Sequence, residues 1–293
     1  MTGPAKKRFK KIYIEIINQC NLSCRFCPAT KREAGMMTPK QFRQVIEKIR
    51  PYTDYIYLHV KGEPLLHPQL KQLLEIAAQF GLQVNLTTNG TLLKTTEPVL
   101  FAMPVRQINI SLHSFEANTV QSGSLPSGLD YDGYITQAIE FARAYAKVGS
   151  IVCFRLWNQA SDDDNSSLLN RLIEAFGYTG SSSPSDFRTK DMPLAPKIFL
   201  SFDRQFQWPD LLAPDFGSFG TCQGLKTHLG ILCDGTVIPC CLDGNGIIAL
   251  GNIFTENMET ILNTPRSRSI LEGFRTKNIT EPLCHRCGYR TRF

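Results

Sequence analysis

The chain has 293 residues, 42% of them hydrophobic and 20% charged, with a net charge of +6. That is enough for one large domain plus a small one, or for a barrel with an appendage, around a sizeable core. No stretch approaches the roughly 20 apolar residues that span a bilayer, and the run at 12–17 is too short, and broken by Glu15, to be the core of a signal peptide. A cytoplasmic protein without membrane contact is expected. Lys6, Lys7, Arg8, Lys10 and Lys11 form a short basic tail over 1–11. The charge is too local to be the footprint of a nucleic-acid partner.

In chain order, residues 12–18 read as a buried strand. Thr38-Pro39 supplies an N-cap and a first-turn proline for a helix through Phe42, Val45, Ile46 and Ile49. A strand at 54–60, a helix at 68–80 ending on Gly81, and a strand at 82–88 closed by Asn89-Gly90 follow. A helix near 94–103, a strand at 105–112, a long helix at 131–148 and a strand at 150–157 continue the alternation. Asp162, Asp163 and Asp164 precede a helix at 167–176. A serine-rich loop at 180–185 leads to a sixth strand at 196–203. Strand–helix alternation of this kind predicts a parallel sheet with helical crossovers, an open barrel or a doubly wound sheet. Chemistry is then expected at the C-terminal ends of the strands.

Residues 204–221 are rich in proline, glycine and serine and read as a linker. Beyond them Asp234-Gly235 lies between two apolar runs, which predicts a hairpin with a two-residue type I′ turn. Two short helical stretches near 256–276 follow.

Of ten cysteines, nine fall into two groups, and Cys153 stands alone in an apolar run as a buried small hydrophobe. Clustered cysteines in a cytosolic chain point to metal or redox chemistry rather than disulfides. Cys20, Cys24 and Cys27 have a C-x3-C-x2-C spacing. Three thiolates on one loop can hold three irons of a [4Fe–4S] cluster and leave the fourth open to another ligand. A zinc loop completed by His59 or His67 is the alternative.

Cys20, Cys24, Phe26 and Cys27 resemble the C-x3-C-x-aromatic-C motif of the radical S-adenosylmethionine (SAM) superfamily. The resemblance implies a partial (β/α)6 radical SAM barrel over 12–203. It also implies SAM bound to the open iron, and a 5′-deoxyadenosyl radical that abstracts hydrogen from the substrate. An external one-electron reductant such as flavodoxin or ferredoxin is implied as a partner. Phe26 would shield the cluster. Lys61-Gly62-Glu63-Pro64 resembles the family's Gly-Gly-Glu segment, with Lys61 in place of the first glycine. Gly62, Glu63, Asn89 and Ser111 are therefore expected to contact SAM. Arg155 and Asp203, near the ends of the fifth and sixth strands, are the expected catalytic or substrate-facing residues.

The tail over 222–293 resembles the SPASM, or twitch, subdomain of the same superfamily, with Cys222, Cys240, Cys284 and Cys287 as ligands of one auxiliary [4Fe–4S] cluster. Cys241 is the alternative to Cys240, because neighbouring strand residues point to opposite faces. Cys233 is expected to pack rather than ligate, and a zinc knuckle is the structural alternative. The expected function is a radical SAM oxidoreductase acting on a small-molecule alcohol. A peptide or protein maturase is the alternative; with about eleven residues before the first strand, leader recognition would then fall to a separate protein. A non-catalytic iron–sulfur electron-transfer protein is the reading from another class.

Overall fold

The computed structural model describes residues 8–113, 129–159, 165–180 and 191–293. Lys6, Lys7, the aspartates at 162–164 and the serines at 181–183 and 185 lie outside them. In chain order the elements are β1 (Lys11–Ile14), α1 (Pro39–Ile49), β2 (Tyr55–Tyr57), α2 (Leu70–Gln79), β3 (Gln83–Thr88), α3 (Leu93–Ala102), β4 (Gln107–Ser111), α4 (Tyr131–Lys147), β5 (Ile151–Gln159) and α5 (Ser166–Phe176). There follow β6 (Met192–Ala195), β7 (Ile198–Arg204), β8 (His228–Ile231), β9 (Thr236–Ile238), β10 (Gly251–Asn252), α6 (Met258–Leu262), α7 (Pro265–Thr276) and α8 (Pro282–His285). The fold is α/β, with the strand–helix alternation of a partial barrel and a hairpin-plus-helix tail. The six strands expected from sequence are β1 to β5 and β7.

Two compact units divide the chain. The first comprises Met1–Cys20, Pro28–Val84 and Phe206–Phe293, the second Asn21–Cys27 and Asn85–Gln205. In the first unit the strand order is β10-β9-β8-β1-β2. β1 runs parallel to both β2 and β8, while β9 and β10 add antiparallel strands. Ile12 and Ile14 of β1, in register with Ile56, Leu229 and Ile231, bury one face. The other face carries Lys11, Tyr13, Tyr57 and His228.

In the second unit the order is β3-β4-β5-β7-β6, parallel except for β6. Leu86, Ile108, Ile110, Val152, Phe154 and Leu200 are buried on one face. On the opposite face the register sets Asn85 beside Gln107, Thr87 beside Asn109, and Ser111 beside Arg155.

Two details differ from the sequence reading. Lys197, at a φ of 65°, turns the chain so that β6 pairs antiparallel with β7, a strand the sequence did not reveal. The hairpin turn is not type I′, which needs positive φ at both central residues. Gly235 has a φ of 85° but Asp234 does not, because its Oδ1 accepts the Thr236 N–H at 2.9 Å. With Gly235 N donating to Leu232 O at 2.9 Å, this is a type I turn followed by a left-handed glycine.

α1 starts as predicted. Thr38 Oγ1 accepts from Gln41 N at 3.3 Å and Gln41 Oε1 accepts from Thr38 N at 2.9 Å, a reciprocal capping box. The helix buries Phe42, Val45, Ile46 and Ile49. Thr38→Ala is expected to lower stability by about 1 kcal/mol, read as a reduced urea midpoint at unchanged slope.

Candidate active site and tail cysteine centre

The segments flanking the first cysteine group are stitched together in the first unit. Asn18 N donates to Gly35 O at 3.1 Å, Gly35 N to Asn18 Oδ1 at 2.8 Å, and Met37 N to Ile16 O at 2.8 Å. Asn18 Nδ2 donates to Glu33 O at 2.7 Å. Residues 16–18 and 33–37 therefore form a closed neck, and the cysteines lie on the chain between them. Cys20 and Cys27 are exposed and Cys24 is half-buried. Three accessible soft donors on eight residues fit an iron–sulfur cluster by the chemistry of the donor set.

The Lys61-Gly62-Glu63 segment lies against this neck. Glu63 N donates to Gln19 O at 2.9 Å. Gly62 has a φ of 79°, and a Cβ there would stand 2.3 Å from Ile17 O and 2.8 Å from Gln19 O. Only glycine permits that approach. The Glu63 carboxylate is buried, and its Oε1 accepts from Leu65 N at 3.0 Å, capping the short 3₁₀ turn Pro64–Leu66. Of the two histidines that could complete a zinc loop, His67 hydrogen-bonds Met37 O at 2.9 Å, and burial lowers its pKa. His59 packs edge-on against Tyr13, with ring centroids 5.3 Å apart.

In the second unit Asn89, Asn21 and Thr91 form a network at the end of β3. Asn89 Nδ2 donates to Asn21 Oδ1 at 2.9 Å and Asn21 Nδ2 to Thr91 Oγ1 at 2.9 Å. The Thr91 hydroxyl donates to Asn89 Oδ1 at 2.7 Å. Asn89 thus grips the residue after Cys20. Phe26 lies 4.9 Å from the ring of His113, whose Nδ1 is 3.0 Å from Arg155 O. His113 is buried and has no motif around it, so the sequence gives it no signal. Arg155 donates to Thr87 Oγ1 at 3.4 Å, and its guanidinium sits 4.5 Å from the centroid of Trp157. Asp203 lies two residues beyond Ser201, the register partner of Arg155, so Arg155, Ser111 and Asp203 share the polar face. Asp203 Oδ1 accepts from Arg204 N at 2.7 Å.

The tail gathers four thiols that resist ionisation. Burial raises the pKa of each. Cys240 is pushed up further by Cys241, Cys222 and Cys284, Cys284 by Cys222 and Cys287, and Cys287 by Cys222. Backbone N–H groups nevertheless point at three of these sulfurs: Gly224 and Gln223 at Cys222, Leu242 at Cys240, Arg290 and Tyr289 at Cys287. Such N–H···S bonds favour thiolate, and a cationic iron core would reverse the burial penalty, so the donor set fits a cluster. Among the described residues, no three His, Cys, Asp or Glu side chains are grouped as for a single metal ion. Cys241 turns instead into an apolar cluster of Tyr13, Val60, Leu232 and Ile238, where its thiol bonds Tyr13. Burial and Glu15 push the Cys233 thiol up to about 11, with Arg32 opposing them. Burial likewise takes Cys153 to about 11.

Among the described residues, no helix is long and apolar enough to cross a membrane. The radical SAM superfamily model matches residues 14–156, and a model described as SPASM, an iron-sulfur cluster-binding domain, matches 222–288. The chain is similar to the GTP 3',8-cyclase of Microcystis aeruginosa, 29% identical over 116 residues, which is 36% of this chain and 35% of that protein. The chain thus spans about a third of the length of the curated relatives it matches. Among solved structures it resembles BtrN in complex with AdoMet and 2-DOIA, with a TM-score of 0.54 and 19% identity over 96% of this chain and 94% of that one. It also resembles Streptococcus suis SuiB bound to precursor peptide SuiA, with a TM-score of 0.61 and 18% identity over 96% of this chain and 70% of that one. At these identities the likeness speaks to the fold alone.

Gly62→Ala drives a methyl group into two backbone carbonyls. It is expected to abolish SAM binding by the iron-loaded protein and to lower the melting temperature, measured by equilibrium dialysis and thermal unfolding.

Proposed function

Because the chain belongs to the radical SAM superfamily and carries a C-terminal SPASM iron–sulfur subdomain, we propose that it is an oxidoreductase acting on a small hydroxylated molecule. Its cofactors are a SAM-binding [4Fe–4S] cluster, SAM and an auxiliary cluster. In this reading Cys20, Cys24 and Cys27 hold the first cluster, and Cys222, Cys240, Cys284 and Cys287 hold a single auxiliary one. When bound, these groups supply hydrogen-atom abstraction from a substrate carbon and an acceptor for one further electron.

The observation that carries the substrate class is the polar sheet face of the second unit. Asn85, Thr87, Gln107, Asn109 and Ser111 are neutral hydrogen-bonding side chains, and Arg155 is the cation among them. A buried parallel sheet is ordinarily apolar on both faces. A face of amides and hydroxyls suits a ligand rich in hydroxyl groups better than an apolar one. Arg155, held by Thr87 and by Trp157, orients an oxygen of that ligand. Asp203 takes the hydroxyl proton. Loss of the C–H hydrogen atom, the O–H proton and one electron turns the alcohol into a carbonyl, a balanced two-electron oxidation. Gly62 fixes the backbone just before Cys20, and Asn89 fixes Asn21 just after it. Phe26 covers the cluster, and Glu63 and Ser111 are each assigned a contact to SAM. An external flavodoxin or ferredoxin supplies the reducing electron.

A second reading, a peptide or protein maturase, is favoured by the exposed apolar residues Leu211, Leu212, Phe216 and Phe219 in the linker, with Leu212 93% exposed. Anaerobic reconstitution with iron and sulfide, reduction and addition of SAM should release 5′-deoxyadenosine, and Cys24→Ala should release none. With cyclitols and sugars as substrates, a carbonyl product is expected. Asp203→Asn should reduce that product at least 100-fold while retaining 5′-deoxyadenosine formation. No 5′-deoxyadenosine from iron-loaded protein would defeat the enzyme reading. Turnover of peptides with none of hydroxylated small molecules would favour the maturase.

A further inference from the structure

Within the first unit, the loop after the first cysteine group meets the loop after Cys240-Cys241. Lys31 N donates to Asn245 Oδ1 at 3.0 Å and Arg32 Nε to Gly244 O at 3.0 Å. Lys61 lies at this meeting point and is only 7% exposed. Its Nζ donates to Pro28 O at 2.8 Å and sits 4.1 Å from the centroid of the Trp208 ring. Its aliphatic stem runs along Gly244, where a Cβ would stand 2.6 Å from Cε and 2.8 Å from Cγ. Lysine is rarely buried this far unless its ammonium is matched. A carbonyl oxygen and an aromatic face both stabilise it there. Pro28 is the residue directly after Cys27.

Resting on the reading of Cys20, Cys24 and Cys27 as ligands, we propose that Lys61 is a positioning residue that anchors the loop behind Cys27 and, as a fixed buried cation, raises the reduction potential of the cluster there. Reduction adds a negative charge to the cluster and its thiolates. A cation held in a poorly screened environment favours that form over the oxidised one. A solvent-exposed lysine would be screened and would contribute little. Gly244 makes the same side chain sensitive to the tail loop, since any larger residue there displaces the stem.

The test is an EPR-monitored redox titration of the full-length, reconstituted protein, following the cluster whose signal changes on adding SAM. Lys61→Met and Lys61→Gln are expected to lower its midpoint potential, and Lys61→Arg to keep it near the wild-type value. Gly244→Ala is expected to shift it in the direction of Lys61→Met. If Lys61→Met fails to retain iron, the comparison of Lys61→Gln with Lys61→Arg carries the test. A SAM-responsive signal whose potential is the same in wild type and in the neutral variants overturns the Lys61 role alone. A wild-type protein that binds iron but shows no SAM-responsive signal defeats the cysteine assignment and the Lys61 role with it.

Discussion

Glu15 is withdrawn completely from water one residue past the end of β1. An ionised carboxylate in that position costs several kcal/mol unless donors surround it. Three donors do. Arg32 Nη2 lies 2.5 Å from Oε1, Lys61 N donates to Oε2 at 3.2 Å, and Cys233 N donates to Oε1 at 3.3 Å. They come from the loop after the cysteines, from the end of β2 and from the hairpin. Burial works against the Arg32 charge, yet the hydrogen bond and charge of Glu15 hold its pKa above the ordinary value. Satisfying one carboxylate therefore fixes the paths of three segments. Because Lys61 N is one of the donors, the register of Gly62 and Glu63 against residues 17–19 follows from the same constraint.

The second constraint is the alternation along parallel strands. Apolar side chains at every other position provide the core, and each of the largest contributes on the order of 1.5–3 kcal/mol by leaving water. The intervening positions could have been apolar too, and Ile151 and Cys153 are, but in the second unit they also include Asn85, Thr87, Asn109, Ser111 and Arg155. Buried amides are tolerable only when bonded. Asn109 Nδ2 donates to Leu86 O at 2.9 Å, and Arg106 donates to Asn85 Oδ1 at 2.8 Å. The face is thus held in shape by its own polar contacts, with Arg155 bonded to Thr87, and with Asp203 on the same side.

The parts that could be read from sequence are those whose cause is local. Alternation gave the strands, Thr38-Pro39 gave the start of α1, and cysteine spacing gave the two groups. Other parts depend on contacts far apart in the chain and leave no local trace. Arg32 and Cys233 meet at Glu15 across 201 residues. His113 matters because Phe26 lies on it. Lys61 looks like a mere departure from a glycine motif until Pro28, Trp208 and Gly244 close around it. The type I turn at 232–235 was hidden for a smaller reason. Asp-Gly is compatible with two turn types, and an Asx contact to Thr236 decides between them.

The tail has hydrogen bonds of its own around the four thiols. Arg290, almost fully buried, donates to Phe219 O at 2.8 Å and also to Gly217 O, tying the last residues to the segment 217–219. Arg266 grips Glu281 through two hydrogen bonds of 2.7 and 2.8 Å. Asp243 accepts from Ile247 N and Ile248 N at 2.9 and 2.7 Å. These contacts surround Cys222, Cys240, Cys284 and Cys287 but do not pass through their sulfurs. Small metal domains that are unfolded without metal gain their structure from the metal itself. Here Arg290, Arg266 and Asp243 supply contacts of the protein's own, and backbone N–H groups are aimed at three of the four sulfurs. The unfavourable part that remains is ionising four neighbouring thiols, three of them half-buried and one buried, and the charge of an iron core would act directly on that.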